Sequence, residues 1–249
     1  MKILFGCAGV RGAIDNYAKR FEVVEIDPLE GRAKAKPAAL KRWRKEAGPA
    51  LAFSLVAPRA LAALRPGPAL DEGLAALLEA QQALQARFVL LVTPLEVTPA
   101  PLQRERLAKV VGRIREGLGA AREVVRIAWS PRGVWEMADA AGLAASLKLD
   151  LAADPLLDPR EPFWHDTLRY LRIGPVGGRT AYPPARLRAL AEALVEDSEG
   201  DGERVVVFTT PKAPAEAKRL KSLVHALGDE GDGGEATFAP RAGAADDDE

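Results

Sequence analysis

The stretch LAFSLVAPRALAALRPGPALDEGLAALLEAQQALQARFVLLV, residues 51–92, decides the fold class. It opens on one apolar run, Leu51–Val56, and closes on another, Phe88–Val92. Between them Leu74, Leu77 and Leu78 recur at helical spacing. Runs of five or six apolar residues without polar alternation suit strands covered on both faces. Two such strands joined by a helix make a βαβ unit, the building block of a parallel sheet.

Working outward, the same alternation predicts strands at Ile3–Cys7, Val23–Ile26, Val124–Trp129, Ala145–Asp150, Leu168–Ile173 and Val205–Thr209, eight in all. Helical faces are marked by Leu107, Val110, Val111, Ile114 and Leu118, by Leu187, Leu190, Ala191 and Leu194, and by Leu220, Val224 and Leu227. Thr98 and Pro99 are a start signal before the first of these, and Pro183–Pro184 precede the second. The segment 152–167, with Pro155, Pro159 and Pro162, reads as loop or broken helix. Eight βα units in 249 residues predict an α/β chain forming a single (β/α)₈ TIM-type barrel, which takes about 250 residues. An open doubly wound sheet is the alternative.

Hydrophobic residues at 48% and charged residues at 28% fit a globular domain and exclude collagen-like or wholly disordered chains. The single cysteine, Cys7, excludes an intrachain disulfide and a multi-cysteine zinc site. No signal-peptide pattern and no run of about 18 apolar residues is present, so the expectation is a cytoplasmic protein without a membrane partner. The formal net charge is zero, yet it is a cancellation. Residues 229–249 hold eight acids and one base, which leaves 27 acids and 34 bases, or +7, in residues 1–228. The expected organisation is a barrel domain over 1–228 and an acidic disordered C-terminal tail over 229–249.

A barrel of this kind works at the C-terminal ends of its strands. Strand two ends in Glu25-Ile26-Asp27, whose carboxylates share one side because the strand period is two. Glu25, Asp27 and Asp150, at the expected end of strand six, are the candidate catalytic acids. Glu25 buried against an arginine, with Asp27 capping the next loop, is the structural alternative. Arg59, Arg126 and Arg172, with Gly177, Gly178, Arg179 and Thr209 on the last two loops, are the candidate anion or ligand contacts. Cys7 is expected to face the mouth as a buried thiol, and Trp129 is placed at a strand end where a ligand can stack. His165 and His225 show no metal-ligand spacing, so no metal site is assigned and the cofactor is unknown.

GCAG (6–9), NYAKRFEVVEID (16–27), FSLVAPRAL (53–61), RYLRIG (169–174) and VVVFTTPKAPAEAKRL (205–220) come in the order and spacing of one known family. The chain resembles domain-of-unknown-function family 72, the YecE-like TIM barrels, over roughly residues 2–226. The resemblance implies a barrel distantly like the endonuclease and isomerase barrels, with no established activity. Glu25, Arg59, Asp150 and Arg172 keep the family's residue types. Val10, Val56, Gly174, Thr209 and Thr210 stand where the family pattern carries tryptophan, lysine, histidine and two asparagines, and Arg126, Ala128 and Trp129 take the places of its glutamate, arginine and histidine on strand five.

The functional expectation is an uncharacterised barrel with a weakened or lost active site at its C-terminal face. Two alternatives stand beside it. One is a metal-assisted hydrolase or lyase for a phosphorylated or nucleic-acid substrate. The other is a nucleic-acid- or protein-binding scaffold, motivated by the basic body. The expected partner is an anionic ligand or nucleic acid; the sequence does not fix the oligomeric state.

Overall fold

The computed structural model describes residues 2–10, 12–30, 35–158, 160–175, 180–197 and 202–232. Eight parallel strands close into a barrel in chain order: β1 (Lys2–Ala8), β2 (Val23–Ile26), β3 (Ala52–Val56), β4 (Phe88–Val92), β5 (Arg126–Ser130), β6 (Asp150–Ala153), β7 (Tyr170–Ile173) and β8 (Glu203–Phe208). The ring closes where β8 pairs with β1, from Lys2 opposite Glu203 to Cys7 opposite Phe208. The closed sheet leaves no strand edge exposed.

Around it lie α1 (Ile14–Ala18), α2 (Pro37–Ala47), α3 (Arg59–Ala62), α4 (Pro68–Leu84), α5 (Pro101–Leu118), α6 (Met137–Ser146), α7 (Pro184–Glu196) and α8 (Ala213–Asp232). Prolines open α2, α4, α5 and α7, where the missing N–H costs nothing. No helix is formed among the described residues between β6 and β7, as the prolines predict. Among the described residues no helix is long and apolar enough to cross a membrane. α8 runs to Asp232, four residues past the expected domain boundary at 228, and residues 233–249 lie outside the described set.

Strand side chains alternate between two cores. Leu4, Val23, Ala52, Phe88, Leu90, Ala128, Ala152, Tyr170, Val205 and Val207 fill the barrel interior. Val24, Phe53, Val89, Ile127, Leu171 and Val206 face outward, against the leucine stripes of the helices. Cys7 and Trp129 belong to this outer core, which corrects their expected place at the mouth. The Cys7 N–H donates to the Tyr17 hydroxyl at 2.7 Å, inside the β1–α1 packing. Trp129 is fully buried edge-on to Trp135 (centroids 4.9 Å apart), and its indole N–H donates to Thr93 Oγ1.

The strands lie within two or three residues of their expected spans, with one exception. Strand six starts at Asp150, where Ala145–Asp150 was expected. Residues 137–146, MADAAGLAAS, form α6 because alanine is the best helix former. Lys148 then turns the chain with a φ of 51°. Asp150 therefore opens its strand at the N-terminal end of the barrel.

That end is closed by charge. Arg126 opens β5, and its Nε donates to Asp150 Oδ2 at 2.7 Å while Nη1 donates to the Glu203 carbonyl at 3.0 Å. Arg87 pairs with Glu203 at 2.7 Å. The Arg87 and Arg126 guanidinium groups both lie over the Phe88 ring, 5.4 and 5.3 Å from its centroid. Burial holds the Asp150 carboxyl above the ordinary aspartate range despite Arg126. Polar residues at this end of a barrel serve stability.

Gly6 marks the tightest contact of the interior. A Cβ there would lie 1.8 Å from the Val23 carbonyl oxygen on β2. Gly6→Ala is expected to destabilise the barrel by about 3 kcal/mol, since neighbouring backbone cannot retreat without breaking the β1–β2 ladder. Urea unfolding checks this, and wild-type stability would show that the ladder yields.

Candidate functional site

The other end of the barrel is polar, open and built around one ion pair. Glu25, the third residue of β2, points into the barrel and is 3% exposed. Across the barrel, Arg172 on β7 grips it: Nε lies 3.2 and 3.1 Å from the two carboxylate oxygens, and Nη2 lies 3.0 Å from Oε1. From below, the Tyr170 hydroxyl donates to Glu25 Oε2 at 3.1 Å and lies 2.8 Å from Ser54 Oγ. Burial lifts the Tyr170 hydroxyl pKa well above its ordinary value, and the Glu25 charge adds to that, so it is a donor here. Burial works against the Arg172 cation, yet Glu25 holds its pKa above the usual value. Arg172 Nη1 has no hydrogen-bond partner among the described residues.

Above the pair lies a cavity of about 900 Å³. Glu25 and Arg172 form its floor, and Asp27, Arg59, Arg65, Glu96 and Arg132 reach it from the loops after β2, β3, β4 and β5. The guanidinium groups of Arg59, Arg65 and Arg132 have no hydrogen-bond or ion-pair partner among the described residues. The Arg59 N–H donates to Glu30 Oε1 at 2.8 Å, which joins the loop after β2 to the start of α3. Burial, with the charges of Glu30 and Glu25, raises the Asp27 carboxyl above the ordinary 3.8.

A second cavity of about 1330 Å³ opens beside the first, between the ends of β5, β6 and β7, and Arg132 and Arg172 line both. Asp154 stands at its edge, directly after β6. Its Oδ1 accepts from the Leu156 N–H at 3.0 Å and from the Tyr182 hydroxyl at 3.2 Å. Burial raises the Asp154 carboxyl despite those bonds. Glu216, in the first turn of α8, accepts from the Tyr182 N–H and the Thr210 hydroxyl, so one carboxylate ties the loops after β7 and β8 together.

The structure thus brings together Glu25, Asp27, Arg59 and Arg172 of the expected set. It separates Asp150 and Arg126, which lie at the opposite end of the barrel because both open their strands. Thr209 sits at the mouth end of β8, but its hydroxyl donates to the Ile173 carbonyl at 3.2 Å. Gly177, Gly178 and Arg179 lie outside the described residues. Arg65, Arg132 and Asp154 escaped the sequence reading. Ending strand six at Ala153 would have revealed Asp154, and the Pro131-Arg132-Gly133 turn after β5 would have revealed Arg132. Among the described residues no group of three or more His, Cys, Asp or Glu side chains is placed to hold a metal ion.

A closed eight-stranded parallel barrel with helices around it is a TIM-type barrel, and its polar cavity lies at the C-terminal end of the strands. The model of the family described as protein of unknown function DUF72 matches residues 6–240, and the chain belongs to that family. A DUF72 family protein from Enterococcus faecalis superposes with a TM-score of 0.69 at 15% identity, over 90% of this chain and 95% of that one. One from Thermotoga maritima gives 0.64 at 15% identity, over 89% and 99%. An L-ribulose 3-epimerase gives 0.64 at 15% identity, over 96% and 100%, a likeness of fold alone. The chain matches no curated protein.

Removing Arg172 leaves Glu25 as a buried charge without its counter-ion. Arg172→Ala is expected to cost about 3–5 kcal/mol. Glu25→Gln keeps an acceptor for Tyr170 and is expected to cost about 1–2 kcal/mol. Equilibrium denaturation of both variants checks the order, and equal losses would show that the pair acts otherwise.

Proposed function

We propose that this barrel binds a small anionic ligand in its mouth, through Arg172 on the floor and Arg59 and Arg132 on the rim. The observation that carries this reading is the unspent cationic hydrogen-bonding capacity around one cavity: Arg172 Nη1 and three whole guanidinium groups. Guanidinium groups bind carboxylate and phosphate in a planar, two-pronged way, and a concave site raises their strength over open surface. The cavity volume suits a small molecule.

The same geometry argues for a weakened catalytic centre. Both oxygens of Glu25 are taken by Arg172 and Tyr170, which leaves Asp27 and Glu96 as the mouth carboxylates, Asp27 with a raised pKa. The metal-assisted reading needs Asp150 beside Glu25 and Asp27, and their separation weighs against it. A cytoplasmic location suits the single, buried cysteine. Residues 233–249, acidic by composition, serve in this reading as a solubilising tail.

Inorganic phosphate, titrated calorimetrically into the whole protein, is the first probe. The joint substitution Arg59→Ala with Arg132→Ala is expected to weaken binding about tenfold or more. Phosphate that binds both proteins equally, or neither, would sink the reading. Asp27 supplies a pH test with a defined sign. Above its pKa the residue is an anion that opposes a bound anion; below it, the residue is already neutral. Asp27→Asn is therefore expected to tighten phosphate binding about threefold near pH 8 and to change nothing in acid. The crossover falls above the ordinary aspartate value of 3.8, because the folded protein raises the pKa.

A further inference from the structure

The second cavity differs in character from the first, and the difference bears on what the anion carries. Met137, Leu157 and Phe163 line it. Leu157 is 67% exposed, a large apolar side chain left open on the wall of a concave site. Phe163 is half-buried, with the His165 ring parallel to it and the centroids 6.2 Å apart. Glu136 and Glu161 also reach the cavity, and their carboxylates have no partner among the described residues. Exposed apolar surface in a recess marks a place where an apolar group docks. Carboxylates accept hydrogen bonds and do not donate them.

One group answers both demands: a flat apolar ring edged with N–H donors. An aliphatic tail would cover Leu157 and leave the two glutamates facing hydrocarbon. A bare polyol would satisfy the glutamates and leave Leu157 and Phe163 uncovered. Arg132 and Arg172 line both cavities, so a single ligand can hold its anion in the first and extend its ring into the second. Resting on the anion reading of the mouth, we propose that the ligand is an anion joined to an amino-substituted planar ring, of the nucleoside monophosphate class. The phosphate sits among Arg59, Arg132 and Arg172. The ring lies against Leu157 and Phe163, with its amino edge toward Glu136 and Glu161.

The test is calorimetric binding of inorganic phosphate, ribose 5-phosphate, AMP and IMP to the full chain. AMP is expected to bind about tenfold more tightly than ribose 5-phosphate, since each stacked base adds of that order. IMP, with a carbonyl in place of the amino group, is expected to fall between them. Leu157→Ser, at an exposed position that does not threaten the fold, should reduce the AMP advantage to about threefold. Glu136→Gln with Glu161→Gln should bring AMP and IMP closer together. Leu157→Ser should leave phosphate binding unchanged, and the double glutamine variant should not weaken it. Phosphate binding with no preference for AMP, or an AMP preference indifferent to both variants, overturns the ring assignment alone. Absence of phosphate binding overturns the mouth reading beneath it.

Discussion

The Glu25–Arg172 pair governs the upper half of the barrel. A carboxylate that is 3% exposed inside a protein needs both a counter-ion and filled hydrogen-bond positions. β7 supplies both, through Arg172 at the level of the carboxylate and Tyr170 one layer down. Two residues 147 positions apart thus fix the distance across the barrel between β2 and β7. Below the pair the interior is apolar and packed. Above it the interior is open. The pair is therefore the floor of the site, and its chemistry sets what the mouth can offer. Because Glu25 is fully engaged, the floor presents an arginine edge to the cavity.

The two ends of the barrel use similar residue types to opposite effect. At the N-terminal end Arg87, Arg126, Asp150 and Glu203 satisfy one another over the Phe88 ring, and the end is shut. At the C-terminal end Arg59, Arg65 and Arg132 reach a cavity and form no ion pair among the described residues. What separates the two ends is completion. An arginine closed by a carboxylate and a backbone carbonyl adds rigidity; one left open above a cavity keeps its hydrogen-bonding capacity.

Most of the fold was legible because each buried parallel strand is a continuous apolar run between helical stripes, a signal local to a few residues. The exception shows where such reading stops. Ala145–Leu149 is apolar enough for a strand, but the alanines before it carry a helix into Ser146, and only the φ reversal at Lys148 ends it. A shift of a few residues there moved Asp150 from the top of the barrel to the bottom and hid Asp154. Glu25 and Arg172 were each legible as residues at strand ends. Their union was not, since it depends on barrel closure and the register of strands far apart in the chain. Trp129 failed for a smaller reason: the two sides of a strand end differ by one residue, and Ser130, not Trp129, shares the inward side with Ala128.

The excess of +7 in residues 1–228 looks at first like a surface made for a polyanion. The positions of the arginines argue for a narrower conclusion. Arg44 donates to the Leu51 carbonyl and lies over Phe53, and Arg115 donates to the carbonyls of Leu147 and Lys148. Arg204, 5% exposed, pairs with Asp197 and lies over Trp164. These side chains act as cross-links between elements, a use that arginine's fork geometry allows and lysine's does not. Subtracting them thins the basic surface far more than the composition suggests. Among the described residues, the arginines that remain unpaired and face a recess are Arg59, Arg65 and Arg132. A duplex or long polymer needs positive charge spread along a face. Among the described residues, Arg59, Arg65 and Arg132 gather around one hollow, which in the proposed reading lets a small anion lie among several guanidinium groups at once.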